Sequence, residues 1–341
     1  MEMKKWNLLT IFTFIVCLLF IAGCGGKAPA ADKKPTEAKP AATATQKQVY
    51  FATGTPGGVY QILGAGMAKI INEKNPGINL VATTPAQITQ TPKILDSGDA
   101  MLGIGMACMM DRARKGEVEF RGQKYEKVVP IMGMYDNAMI YVTLKGSPIN
   151  DFKQVSGKVF ATTASNVVQI KALLSAAGED PSKTKFRVMS YQQAAEALSD
   201  NNADVAVLTG YPKNGLVDSL SSTKGAQFLT IDQETRANFD KQNPLWKMME
   251  TPAGTYTGQT LPAVGPTYYT VLFANANADE KTIYNIVKTV IENNKEIGTI
   301  HPAGKDIKLE TTKRYLENNI IDIKLLHPGA IKYFKEKGII K

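Results

Sequence analysis

The chain is poor in the residues that carry most enzyme chemistry. Among 341 residues, histidine occurs only as His301 and His327, and cysteine only as Cys17, Cys24 and Cys108. There is no H-E-x-x-H zinc pattern, no C-x-x-C pair and no G-x-S-x-G elbow. His327 precedes Pro328 at an expected helix start, so capping or packing fits it better than catalysis. Asp96 and Asp99 bracket a glycine turn and read as solvated. Basic residues nowhere alternate with aromatics, which leaves nucleic-acid binding without support. Of the formal charge of +9, seven lysines against three acids in residues 1–48 supply +4. The remaining +5 is spread over the rest of the chain and describes a soluble surface.

Long apolar runs are also missing. The run over residues 8–22 is interrupted by Thr10 and Thr13 and falls short of the roughly 20 residues that span a bilayer. It follows Lys4 and Lys5 and ends Ile21-Ala22-Gly23-Cys24, so residues 1–23 read as a signal peptide. The ending resembles the lipobox of bacterial lipoproteins, in which the thiol of Cys24 takes the lipid. The competing reading is a chance cysteine after an ordinary cleavage site. Residues 24–48 lack large apolar side chains and cannot offset their ordering entropy by burial. They read as a tether reaching roughly 25–30 Å as a flexible coil. These features place the mature protein outside the cytoplasm, on the outer face of the cell membrane or its periplasmic side. With Cys17 and Cys24 so used, Cys108 has no intramolecular partner and reads as a small buried residue.

From Val49 onward strand-like and helix-like segments alternate. Strands are expected at 49–52, 78–83, 100–105 and 128–144, the last as one strand or as two with Gly133 between. Helices are expected at 59–72 and 91–97, where Pro92 marks a helix start. The alternation restarts with strands at 158–162, 186–190, 203–208 and 227–231, and helices at 167–177, 192–199 and 213–221. A strand at 268–274, a long helix at 280–297 and a helix from Pro328 close the chain. Two such series predict an α/β protein of two lobes with mostly parallel sheets. Lobe one takes residues 49–141 and 270–341, and lobe two residues 142–269. The lobes are joined by two crossings, near 140–144 and 266–271.

The segment Phe51-Ala52-Thr53-Gly54-Thr55-Pro56-Gly57-Gly58-Val59-Tyr60 raises the question of a nucleotide loop. No lysine follows the glycines, as a Walker loop requires, and the spacing is wrong for a dinucleotide fingerprint. What remains is a helix start whose N–H groups lack intrahelical partners, with glycines that let a ligand approach. A plain strand-to-helix turn explains the segment equally well.

Several segments resemble the TAXI family, the solute receptors of one branch of tripartite ATP-independent periplasmic (TRAP) transporters. The resemblance is carried by the opening Gly-rich stretch, by Leu95-Asp96-Ser97-Gly98-Asp99-Ala100 and by Ala253-Gly254-Thr255-Tyr256-Thr257-Gly258-Gln259. It is carried further by His327-Pro328-Gly329-Ala330 with Tyr333 and Glu336-Lys337-Gly338. It spans residues 49–341. It implies a type II periplasmic-binding-protein fold, two lobes closing on a small organic solute, and delivery to TRAP permease subunits in the membrane. No cofactor is implied, and a monomer is expected. Where the family carries a second aromatic this chain has Gln61, and where the family carries polar or glycine-rich positions it has Ala86-Gln87-Ile88, Met101, Met106, Cys108 and Thr163-Ala164-Ser165-Asn166.

The expected ligand contacts are Thr55, Gly57, Gly58, Val59, Tyr60, Gln87, Met106, Thr163, Ser165, Asn166 and Tyr211. The strand-end segments 53–60, 83–91, 105–110, 162–169 and 209–212 contain no charged residue, with Arg112, Asp136 and Lys213 just beyond. Anion recognition would then rest on backbone N–H groups and hydroxyls. Hydrogen bonds to a charged group contribute roughly 1.5–3 kcal/mol each. Three of them with apolar burial reach about −8 kcal/mol, a micromolar affinity. Met101, Met109, Met110, Met132, Met134 and Met139 read as core, and Met106 as a ligand contact. The expected solute has an apolar part and at most one anionic group. The alternatives are a solute-sensing lipoprotein that feeds a membrane kinase, and an enzyme on the same scaffold. If Cys24 carries the anchor, Cys24→Ala moves the protein from the membrane pellet to the soluble fraction; persistence in the pellet contradicts the anchor.

Overall fold

The computed structural model describes residues 48–341 other than Gly57, Pro212 and Pro244. The expected signal peptide at 1–23, the expected lipidation site Cys24 and all of the expected tether but residue 48 lie outside the described residues. The first series runs β1 (Gln48–Ala52), α1 (Val59–Lys74), β2 (Asn79–Thr83), α2 (Thr91–Ser97), β3 (Leu102–Met106) and α3 (Ala107–Lys115). A single long strand, β4 (Val128–Leu144), leads into the second series. That series is β5 (Val159–Thr162), α4 (Ala164–Ala176), β6 (Lys185–Val188), α5 (Tyr191–Ser199), β7 (Val205–Gly210), α6 (Gly215–Thr223) and β8 (Ala226–Phe228). Then come α7 (Gln233–Gln242), β9 (Met248–Thr251) and a second long strand, β10 (Ala263–Asn275). Four helices close the chain: α8 (Glu280–Glu292), α9 (Asn294–Ile300), α10 (Leu309–Glu317) and α11 (Pro328–Glu336).

The strand order is β2-β1-β3-β10-β4-β7-β5-β6, with β8 beside β4 and β9 beside β10. β1 pairs in parallel with β2 and β3, and β5 in parallel with β6 and β7. β10 runs antiparallel between β3 and β4, and the far end of β4 runs antiparallel between β7 and β8. Both halves therefore share one order, in which an antiparallel strand arriving from the other half sits beside the third strand. This is the mostly parallel, periplasmic-binding-protein-like α/β fold that the resemblance implied. β4 changes neighbour from β10 to β7 at Ala138, and β10 changes from β4 to β9 between Thr267 and Pro266.

Most element positions follow the expected pattern, and the departures have local causes. β4 is one strand and not two. Gly133 is retained in it because the Tyr315 ring packs there: a Cβ would fall 2.7 Å from Tyr315 Cδ2. Thr312 Oγ1 also accepts a hydrogen bond from the Gly133 N–H at 3.1 Å. The helix expected at 280–297 breaks at Asn293. There the Asn293 amide donates to Thr289 O at 2.7 Å, and the Asn294 amide donates to Gly304 O and Ile307 O, each at 2.9 Å. Such side-chain bonds compete with the helical ladder. Helices α3, α7 and α10 and strand β9 lie where no element was expected. In α3 the sequence Ala-Cys-Met-Met is buried almost all round, so no polar face advertises a helix.

The core runs through both halves, with Phe51, Leu63, Tyr135, Tyr141, Phe160 and Tyr315 among its buried side chains. Met109, Met110, Met132, Met134 and Met139 are buried in it, as expected for flexible gap-fillers. Where the long strands pass, Gly265 of β10 lies so close to β4 that a Cβ would sit 2.0 Å from Met139 O. Gly265→Ala forces backbone apart. It should lower the unfolding free energy by about 1–3 kcal/mol, the usual range for overpacking. Chemical denaturation of the two proteins checks this.

Candidate functional site

In open α/β sheets ligands bind beyond the C-terminal ends of the strands. Here the ends of β1, β2, β3, β5 and β7 open on one cavity of about 360 Å³. Gly54 and Thr55 follow β1, Gln87 and Ile88 follow β2, and Met106 ends β3. Thr163 and Ser165 follow β5, Tyr191 follows β6, and Thr209 lies near the end of β7. Gly54 is required by space, since a Cβ there would lie 2.4 Å from Tyr60 Cβ.

Three helices begin at this cavity without a side-chain cap. The N-cap of α1 is Gly58, in an extended conformation (φ −88°, ψ 158°). The N-cap of α3 is Met106. The N-cap of α4 is Thr163, whose hydroxyl pairs with Ser165 Oγ at 3.0 Å and not with the helix. No acidic residue occupies any of these first turns. Elsewhere α5, α6, α7, α8 and α11 are capped by Ser190, Asn214, Asp232, Asp279 and His327. α2, α9 and α10 also lack side-chain caps, so the convergence of such ends, and not their occurrence, marks the cavity. Each presents N–H donors and the positive end of a helix dipole, worth up to about 2 kcal/mol for a partly buried anion.

Hydroxyl groups form the floor. Tyr60 Oη lies 3.1 Å from Thr270 Oγ1, and its ring meets Tyr135 edge-on at 6.3 Å. Tyr268 donates to Asn166 Oδ1 at 2.7 Å, and the Asn166 amide donates to Thr162 Oγ1 at 2.9 Å. Thr209 donates to Tyr191 Oη at 2.6 Å. Burial pushes the phenols of Tyr60, Tyr191 and Tyr268 up, so they stay neutral. Burial likewise raises the Cys108 thiol, with Arg112 opposing. Among the described lining residues no carboxylate occurs, and Lys213 and His301 are the groups able to carry positive charge. Met106, Val59, Ile62, Ile88 and Leu216 supply apolar surface. The arrangement can donate hydrogen bonds to an anion and bury an apolar group beside it.

The structure brings Thr55, Gly58, Val59, Tyr60, Gln87, Met106, Thr163 and Ser165 to this cavity. Gly57 lies outside the described residues. Two expected contacts are placed elsewhere. Asn166 is fully buried beneath the lining, its amide used up by Tyr268 and Thr162. Tyr211 lines a separate depression with Asp136, Asp306 and Arg314. β7 stops at Gly210 and the chain bends, so the two-residue alternation that would set Tyr211 beside Thr209 no longer holds. In that depression Asp136 accepts from both terminal nitrogens of Arg314, each at 3.0 Å, and from Tyr315 Oη at 2.7 Å. Residues not anticipated at the cavity include Asn137, Tyr191, Lys213, Leu216, Tyr268 and His301.

The fold and this site define an α/β protein with a cavity at the meeting point of two strand series. The NMT1-like family pattern matches residues 51–338, and the chain belongs to that family. Its structure is similar to that of the substrate binding protein of an amino acid ABC transporter. The two share 14% identity over 76% of this chain and 99% of the other, with a TM-score of 0.46. It is also similar to the periplasmic aliphatic sulphonate binding protein SsuA from Escherichia coli, at 12% identity, 86% and 88% coverage and a TM-score of 0.46. A third similar structure is Tv2483 bound to L-arginine, at 17% identity, 77% and 90% coverage and a TM-score of 0.44.

Both histidines are held neutral by burial, which lowers their pKa. His301 Nδ1 accepts from the Ala303 N–H and His327 Nδ1 from the Gly329 N–H, each at 3.2 Å. Protonation removes both acceptors. The unfolded chain, with histidine near 6.5, binds protons before the folded one does, so stability is full above that pH and falls as pH drops below it. Melting temperature should therefore decline as the pH falls below about 6.5, and a His301→Asn/His327→Asn double variant should flatten that decline.

Proposed function

We propose that the protein is an extracytoplasmic solute receptor, which captures a small organic solute in this cavity and delivers it to a membrane transporter. The observation that carries the reading is the lining. Uncapped helix ends from both strand series, a lysine and neutral phenols face one apolar-walled space without a carboxylate. Such a space favours a solute with one anionic group and an apolar part, and repels a solute whose only charge is positive. The two halves of the sheet act as the lobes, 49–141 with 270–341 and 142–269, and they hinge where β4 and β10 change neighbours. The transporter is of the TRAP type, as the resemblance to TAXI receptors suggests, and Cys24 tethers the receptor to the membrane.

A thermal-shift screen of the mature chain tests this. Monoanionic amphiphiles such as hexanoate, phenylacetate and leucine-derived oxo acids should raise the melting temperature. At 100 times its dissociation constant a ligand bound only by the folded state stabilises by about 2.7 kcal/mol. Exclusive response to dicarboxylates, or to no small molecule at all, contradicts the reading.

A further inference from the structure

We propose that Lys213 is the cavity's countercharge for a solute carboxylate, and that Asp218 competes with the solute for it. The inference rests on the reading of the cavity as a solute site. Lys213 is the one lysine or arginine among the described lining residues, and no aspartate or glutamate lines the cavity with it. Its Nζ lies 2.8 Å from Asp218 Oδ1 and 5.9 Å from the centre of the Tyr256 ring. The Asp218 side chain belongs to the first turn of α6 and is not part of the lining.

The pair is built to be exchanged. Both side chains are substantially exposed, 47% for Lys213 and 36% for Asp218. Ion pairs so open to water contribute little, so releasing Asp218 costs little. A carboxylate held at the same ammonium inside the cavity meets less competing water and gains more. The flexible stem of lysine allows its head to turn without moving the backbone. Tyr256 is buried and anchored, its hydroxyl accepting from the Asn214 N–H at 2.9 Å. Its ring face can keep the ammonium near while the anionic partner changes.

The adjacent helix end cannot take over this role. Asn214 Oδ1 already accepts from the N–H groups of Leu216 and Val217, at 2.9 and 3.1 Å. Anion attraction on this wall is therefore assigned to the lysine, facing the uncapped starts of α1 and α4 elsewhere on the lining. Lys213 follows a turn just past β7, so its sequence position alone did not assign it to the cavity.

Exchange predicts effects of opposite sign from the two members of one ion pair. A purely structural bridge predicts loss from both. Titration calorimetry on the mature chain would compare hexanoate, octanoate, benzoate and phenylacetate with their primary amides. Lys213→Met should weaken binding of the best acid about tenfold, equivalent to about 1.4 kcal/mol, and leave amide binding unchanged. Lys213→Arg should keep most of the affinity. Asp218→Asn should tighten acid binding several-fold, because the ammonium no longer has to leave a partner. Equal acid affinity in wild type and Lys213→Met, or weaker binding in Asp218→Asn, overturns the inference and leaves the solute site standing. Failure of every acid and amide to bind the wild type overturns the solute site and the inference with it. If Lys213→Met does not fold, the sign of the Asp218→Asn effect decides the matter alone.

Discussion

The fold depends on one antiparallel pairing, that of β4 with β10. Thr267 to Asn275 lie beside Ala138 to Val128, and this is the most extensive strand contact in the sheet. Each strand then continues past the pairing and becomes part of the other half, β4 beside β7 and β8, and β10 beside β9. A strand buried between two neighbours satisfies its backbone on both sides, so neither strand can be shifted without breaking two ladders. Gly265 and Gly133 are required along this pair, because Met139 O and the Tyr315 ring approach too closely for a side chain. The two parallel series are thereby fixed so that their C-terminal strand ends face one space.

That space takes its chemistry from what is left unsatisfied around it. Most helix starts in the second half of the chain are closed by a side-chain acceptor, an oxygen of Ser190, Asn214, Asp232 or Asp279 or the Nδ1 of His327. The starts of α1, α3 and α4 are not. Each uncapped start forgoes about 1 kcal/mol of helix stability, and three at one place leave a set of donors for something other than the protein. The hydroxyl floor works in the opposite sense. Tyr268, Asn166, Thr162, Thr209 and Tyr191 satisfy one another and keep the walls fixed and neutral. Donors and apolar walls thus stand in place around the cavity, an arrangement that lowers the ordering cost of any binding there.

The legible part of the site was its local part. Thr55, Gly58, Val59, Tyr60, Gln87, Thr163 and Ser165 come soon after the end of a strand and Met106 ends one, and in a parallel α/β sheet such positions share one edge. Asn137 and Tyr268 sit inside the two long strands, which reach the cavity only because β4 and β10 cross there. His301 arrives from the end of α9, some two hundred and forty residues after Tyr60 in the chain. Asn166 and Tyr211 fit the same local rule and lie elsewhere, one taken by a buried hydrogen bond and the other carried away by a bend.

Sequence by itself determined the alternation of strands and helices, the glycine-rich start at 54–58 and the scarcity of charge at the strand ends. These are properties of neighbouring residues, set by side-chain periodicity and backbone freedom. Tertiary structure alone decided where each half receives a strand from the other, which hydroxyls satisfy one another and which side chains close the cavity from a distance. Pairing partners far apart in the chain are chosen by burial and hydrogen bonding across the whole sheet, and no local stretch of residues carries that information.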